Sequence, residues 1–388
     1  MSDHIQPVPA PAPAAQKKGG KLRPWLLFGG ILLTVLLLLV IYLLVATTAL
    51  DGVKRSLRYL GWTETSFSYD TNGLASATLI SNSPALCDQS GVTLYTDDGV
   101  ELGVLKRNLY TPVLQAAGDR LLLHDIGGTE VALLDAEANV LAEPEISGQI
   151  IDAALSETDR FAVLSTSDTA NSILEVYYSD GTLLFRRTAK SHYLNTCALS
   201  PDGSYVAAVL MEQQNVSFTS TVQLFRTDAE EPIAEVPTDC GLVFDLAFVD
   251  DETLCAVGLY GLTFLGLDGS VISEYSFMDA GLTGYSIADG KVALTLDTYD
   301  LSARYRLVLL DARGEETAAH TLPEGTEAVS LCGRYVAVLG NASAQIYTTK
   351  LEPVTTAETG GAYSVIQVRR DGTAFLLGDQ QALLLIPE

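Results

Sequence analysis

Three of the four histidines, five cysteines and several Asp-Gly pairs are the groups in this sequence that could do chemistry. His124, His192 and His320 lie far apart in the chain, so only folding could bring them into one acid–base site. His192, in Ser191-His192-Tyr193, could serve a nucleophile, but no Gly-x-Ser-x-Gly elbow nominates the serine. A loop histidine bonded to backbone is the plainer reading. Cys87, Cys197, Cys240, Cys255 and Cys332 form no CxxC pair, and no His stands at zinc-ligand spacing. Their odd number forbids complete pairing, and three sit in or beside apolar runs, so buried free thiols are expected. Thr96-Asp97-Asp98-Gly99 and Tyr178-Ser179-Asp180-Gly181 suggest calcium loops, yet they fall where hairpins must turn, and Asp and Gly are what such turns require. Asn215-Val216-Ser217 and Asn341-Ala342-Ser343 match the glycosylation triplet, which is short enough to arise by chance. No catalytic, cofactor-binding or metal-ligating residue can be nominated on this basis.

The elements around these residues are more informative. Between Leu26 and Val45, sixteen of twenty residues are Leu, Ile, Val or Phe, and no charge occurs from Pro24 to Leu50. Those side chains contribute roughly −5 to −10 kcal/mol toward insertion. Twenty helical residues match a hydrocarbon core of about 30 Å. A single transmembrane helix is expected over residues 25–46. The apolar run exceeds that of a cleaved signal peptide, and Thr47-Thr48-Ala49 is a poor cleavage site, which favours an uncleaved anchor. Lys17, Lys18, Lys21 and Arg23 precede the helix and Lys54, Arg55 and Arg58 follow it. That bias places the N-terminus in the cytoplasm and the C-terminal domain outside, in the cell membrane of a single-pass protein. Residues 1–24 form a Pro/Ala-rich basic tail, expected to be disordered. Within the juxtamembrane stretch 47–64, Leu50, Val53, Leu57 and Leu60 recur at helical spacing, with Tyr59 and Trp62 suited to the membrane interface.

The chain carries a net charge of −25, and residues 51–388 account for −28. A domain so acidic repels phosphate backbones, which excludes nucleic acid as a partner.

From Thr65 onward short apolar runs are punctuated by Gly, Asp and Asn, the pattern of strands joined by tight turns. One unit recurs: a turn, an apolar strand, then a further strand such as Val92–Tyr95 before Asp98-Gly99 or Leu262–Leu265 before Asp268-Gly269. These further strands end at Tyr95, Leu134, Tyr177, Phe225, Leu265, Leu310, Tyr347 and Leu385, spaced 37 to 48 residues apart. A β-propeller blade takes about 40–45 residues. The 324 residues of 65–388 give 40.5 per blade for eight blades and 46 for seven, so eight fits better than the seven-bladed alternative. The expected fold is all-β, an eight-bladed β-propeller over residues 65–388. The eighth unit lacks its last strand, and Ser66-Phe67-Ser68-Tyr69 is placed to supply it and close the ring.

The anchor, the juxtamembrane run Val53–Gly61, the Phe67-Ser68-Tyr69-Asp70 strand and the Ser200-Pro201-Asp202-Gly203 turn together resemble an uncharacterised family of bacterial membrane-anchored proteins, domain of unknown function 5711. The repeats also resemble WD40-type and quinoprotein-type propellers. The resemblance implies fold and placement and brings no activity with it. A quinoprotein would need tryptophans around the ring, whereas Trp25 and Trp62 both lie outside the repeats, so no cofactor is expected.

The links between second and third strands are long at about residues 166–172, 211–220 and 297–304. Such links share one face of a propeller with the blade-to-blade connections, where binding evolves. Tolerated insertion or extended hairpins are the plainer reading of these links. On the sharper one, Met211, Glu212, Gln213, Gln214 and Phe218 on the middle link, with Tyr299, Asp300 and Arg304 on the third, are the candidate partner-binding residues. An anchored interaction or envelope-scaffold module with a protein or cell-envelope partner is the expected function. The alternative is a hydrolase or lyase with a site in the central funnel, which His124 or His192 clustered with carboxylates would favour.

Overall fold

The computed structural model describes residues 33–35, 55–56, 58–59, 64–214, 217–229, 231–300 and 302–387. Contacts divide the chain into residues 1–51 and residues 52–388. In the first unit Leu33–Val35 are helical, and the rest of the expected span 25–46 lies outside the described residues. No helix among the described residues is long and apolar enough to cross a membrane.

The second unit is a ring of eight four-stranded antiparallel sheets. Blades 1 to 7 span residues 76–106, 112–142, 150–189, 193–238, 243–276, 281–322 and 326–358, each a meander of consecutive strands. Blade 8 takes three strands from residues 365–385. Its fourth is Glu64–Ser68, which runs antiparallel to Gln381–Leu385 with Phe67 opposite Ala382. The ring closes with the strand and in the place that the sequence indicated, so neither blade 8 nor blade 1 presents an open edge to the other.

Position in the ring dictates the burial pattern. The second and third strands of a blade are covered on both faces by neighbouring blades, so they read as continuous apolar runs. Thr253–Gly258 and Tyr335–Gly340 are buried at every position. Outermost strands meet solvent on their far side and alternate, as in Pro232–Thr238. The core is accordingly eight separate clusters, one at each blade interface. Blades 8 and 1 share Phe375, Leu377 and Leu384 with Leu86, completing the circle.

Side-chain hydrogen bonds lace each blade to the next. Serine hydroxyls accept from inner-strand amides: Ser76 from Leu114, Ser172 from Leu194, Ser220 from Val243, Ser286 from Leu331 and Ser330 from Val368, all at 3.0 to 3.1 Å. Inner strands of blades 3 to 7 carry a register shift near their start. Such bulges free a residue to reach sideways. Asp152 accepts from Thr196 Oγ1 at 2.7 Å and Cys197 N at 2.9 Å, and Asn195 donates to the Val243 carbonyl at 2.8 Å.

All five thiols are free. Burial pushes Cys87 up to about 12 and Cys332 up to about 11, so neither is a thiolate at neutral pH.

Candidate functional site

Two faces of the ring differ in chemistry. One carries the turns between first and second and between third and fourth strands. The other carries the second-to-third links and the blade-to-blade connections.

On the first face the chain joins the ring. Arg55, Ser56 and Arg58 are helical and Tyr59 closes the turn. Arg55 Nη1 donates to the Asp371 carbonyl at 3.0 Å in blade 8, and Tyr59 Oη donates to Asp97 Oδ2 at 2.7 Å in blade 1. Between them lies Arg369, 1% exposed, whose guanidinium meets Asp97 at 2.6 Å, Tyr59 Oη at 3.0 Å, and the Asn82 carbonyl. It also stacks on Phe375, 4.5 Å from the ring centre. Burial alone would raise the Asp97 carboxyl, but hydrogen bonds from Arg369 and Tyr59 hold it below the usual range. Burial and the bond to Asp97 push Tyr59 up to about 12. Tyr59, expected at a membrane interface, is instead buried against the ring. The reason is that a buried Arg–Asp pair has lone pairs and protons that only a third polar group can satisfy. Trp62 lies outside the described residues.

A funnel of about 770 Å³ opens at the same face, its mouth lined by Glu157, Asp250, Asp251 and Asp289, with Arg370 paired to Asp289 at 2.5 Å. In a separate cavity of about 340 Å³ lined by Asp152 and Cys197, Asp245 accepts from Tyr285 Oη at 2.7 Å. Burial, with repulsion from Asp152, moves Asp245 up to about 6. The funnel does not gather the histidines. His124 is fully buried between blades 2 and 3 with both ring nitrogens unpartnered, and burial lowers it to about 4. His192 pairs with Glu212 at 3.0 Å, and His320 lies against Tyr347. The Asp-Gly segments are turns. Gly99 and Gly181 adopt positive φ, and Asp180 Oδ1 accepts from Thr182 N at 2.8 Å. Among the described residues no group of three or more potential ligands could hold a metal ion.

The opposite face holds the large apolar side chains that the fold leaves in solvent. Tyr110, Ile126, Tyr193, Phe244, Leu259, Tyr260, Met278 and Tyr299 all lie on its links and strand starts. The first-to-second-strand turns of the other face contribute none among the described residues, and the remaining exposed apolar groups sit on or beside outer strands or at Leu33 and Val35.

Six of the eight form an arc over blades 4 to 6, and the backbone joins them. Tyr260 packs on Gly241, where a Cβ would come within 2.7 Å of its ring. The Tyr260 carbonyl accepts from Phe277 N at 2.9 Å, next to Met278. Gly281 then faces the Tyr299 hydroxyl. Phe244 sits beside Tyr285, ring centres 6.0 Å apart.

The 297–304 link is built before any partner arrives. Arg304 binds Asp297 through Nε and Nη2, the latter at 2.8 Å. Thr298 N donates to the Arg304 carbonyl, and Asp300 Oδ1 accepts from Ser302 N and Oγ. Tyr299 is held at φ +60° with 70% of its surface exposed. A bulky residue in the left-handed region stores about 1–3 kcal/mol of strain.

Of the residues singled out in the sequence, Tyr299, Asp300 and Arg304 lie on this face. Met211–Gln214 and Phe218 lie not in a loop but in an extended hairpin, Tyr205–Gln214 paired with Ser217–Arg226. It rises beyond its neighbours, since the first strand of blade 4 pairs only as far as Met211. The side chains of Gln214 and Phe218 are outside the described residues. Tyr193, Phe244, Leu259, Tyr260 and Met278 were missed. Their one sequence signal is an apolar residue in a link, outside the strand alternation, as Met278 is in Phe277-Met278-Asp279.

Fold and surface together define an eight-bladed β-propeller of WD40-like architecture. The chain belongs to the family of unknown function DUF5711, which matches residues 64–377. No curated protein matches it. Among solved structures it is similar to the computationally designed Ika8 protein, with TM-score 0.62 and 10% identity over 83% of this chain and 99% of that one. It is similar to the C-terminal WD40 domain of Sif2, with TM-score 0.61 and 11% identity over 84% and 100%. BamB from Moraxella catarrhalis gives TM-score 0.53 and 13% identity over 82% and 97%. Likeness at this level shows the shared ring.

Proposed function

We propose that the protein is a membrane-anchored interaction module. Residues 25–46 span the bilayer, residues 1–24 remain cytoplasmic, and the ring stands outside the cell membrane. There it binds a protein or cell-envelope partner through the link-bearing face of blades 4 to 6.

The observation that carries this reading is the one-sided placement of exposed large apolar groups, on links held rigid by their own hydrogen bonds. Clustered exposed apolar surface marks an interaction site, and preorganised loops lose little entropy on binding. The latch at Tyr59 and Arg369 supports the orientation, because it joins the chain to the ring at the face opposite the arc.

The test is in-cell crosslinking with mass spectrometry, comparing intact protein with the Tyr260→Ser, Tyr299→Ser double variant. A partner captured by the first and lost by the second, at equal abundance, is the expected result. Identical crosslinks from both would overturn the reading.

A further inference from the structure

We infer that the occupant of the arc is a protein segment bearing apolar side chains flanked by lysine or arginine, an inference that rests on the interaction reading above. Carboxylates punctuate the arc. Asp239 stands two residues before Gly241, Asp279 follows Met278, and Asp300 follows Tyr299, all three exposed. None of the three makes an ion pair among the described residues.

Of the cations nearby, Arg304 is taken up by Asp297, while Lys190 stands exposed at the blade 3 side. The arc therefore alternates apolar patches with unneutralised negative charge. Tyrosine faces add a second attraction for cations, since their quadrupoles favour ammonium and guanidinium groups. Anionic lipid and nucleic acid are repelled by the same carboxylates, and by the −28 charge of residues 51–388, which steers basic partners inward. The surface is open, with Met278 68% exposed, so it suits a chain laid across it rather than an enclosed small molecule.

The probe is a set of immobilised octapeptides alternating Leu/Lys, Leu/Glu and Ser/Lys. The full chain is presented in zwitterionic nanodiscs, with empty nanodiscs as the blank. Leu/Lys is expected to retain the protein roughly tenfold better than either other peptide. The Asp239→Asn, Asp279→Asn, Asp300→Asn triple variant should lose most of that preference together with its salt dependence. Equal retention of Leu/Lys and Leu/Glu would overturn the inference, as would Ser/Lys matching Leu/Lys, or a triple variant that binds like the parent. Crosslinking in cells separates the two levels. If the Tyr260→Ser, Tyr299→Ser variant loses its partner while the triple Asn variant keeps it, the face is right and the basic partner is wrong. If neither variant changes the crosslinks, the interaction reading itself fails.

Discussion

The latch around Arg369 and the arc around Tyr299 are built from similar residues put to opposite uses. At the latch Tyr59, Asp97 and Arg369 satisfy one another, and an arginine that is 1% exposed has five hydrogen bonds or stacking contacts inside the protein. At the arc Tyr260 and Tyr299 leave their rings in water, and Asp239 and Asp279 make no ion pair among the described residues. In the Arg369 guanidinium only Nε lacks a hydrogen-bond partner among the described residues, and a polar group so paired within its own chain is accounted for by stability. An apolar group held rigid in solvent is not.

The contrast is sharpest when each side is broken. The largest effect is expected from deleting residues 64–72, which removes the closing strand and leaves blade 8 with an unpaired edge beside blade 1. Thermal unfolding should lose its single cooperative transition, and an unchanged melt would show that the ring does not depend on closure. Next, Arg369→Met strands Asp97 and the Asn82 carbonyl, and should destabilise the ring by about 3–5 kcal/mol in urea unfolding while folded protein keeps its partner. At the arc the signs reverse. Tyr299→Asn suits φ +60° better and should hold or raise stability by up to about 1 kcal/mol, while partner capture falls.

Titration gives the smallest effects. The folded pKa of His124, about 4, lies below its ordinary 6.5, so the unfolded chain takes up a proton first as pH drops. Stability is full above pH 6.5 and is lost down to about pH 4, and His124→Leu should flatten the melting temperature across that window. Asp245 runs the other way. Its folded value of about 6 lies above 3.8, so its stabilising effect is full below 3.8 and is lost as pH rises to about 6. Asp245→Asn should therefore raise the melting temperature more at pH 8 than at pH 4, and an equal shift at both would count against the raised carboxyl.

Much of the fold was legible because strands advertise themselves locally. The spacing of Tyr95, Leu134, Tyr177 and their successors gave eight blades, and each of these residues lies at or within one position of the end of a third strand. Ser66–Tyr69 announced the closing strand as an orphan of the same alternation. The latch was not legible, because Arg369 and Asp97 are 272 residues apart and nothing local in either says it will be buried. Tyr59 read as an interfacial aromatic for the same reason. Five of the six apolar groups of the arc were missed, because exposure of a Tyr or Met in a link is decided by neighbouring blades, as Gly241 decides for Tyr260. The Met211–Phe218 segment is the extended hairpin that stood as the plainer alternative to a binding link, its strand pairing continuing through Gln214 and Ser217.

The pairing of Glu64–Ser68 with Gln381–Leu385 also sets a clock. The first strand of the ring leaves the ribosome more than 300 residues before its partner exists. At 5–20 residues per second it waits roughly 15–60 s, far longer than a local hairpin needs to form. Blades 1 to 7 can assemble in order during that interval, but the ring stays an open crescent until Gln381–Leu385 has emerged. Its exposure to proteases and chaperones is therefore fixed by the number of residues that separate the two paired strands.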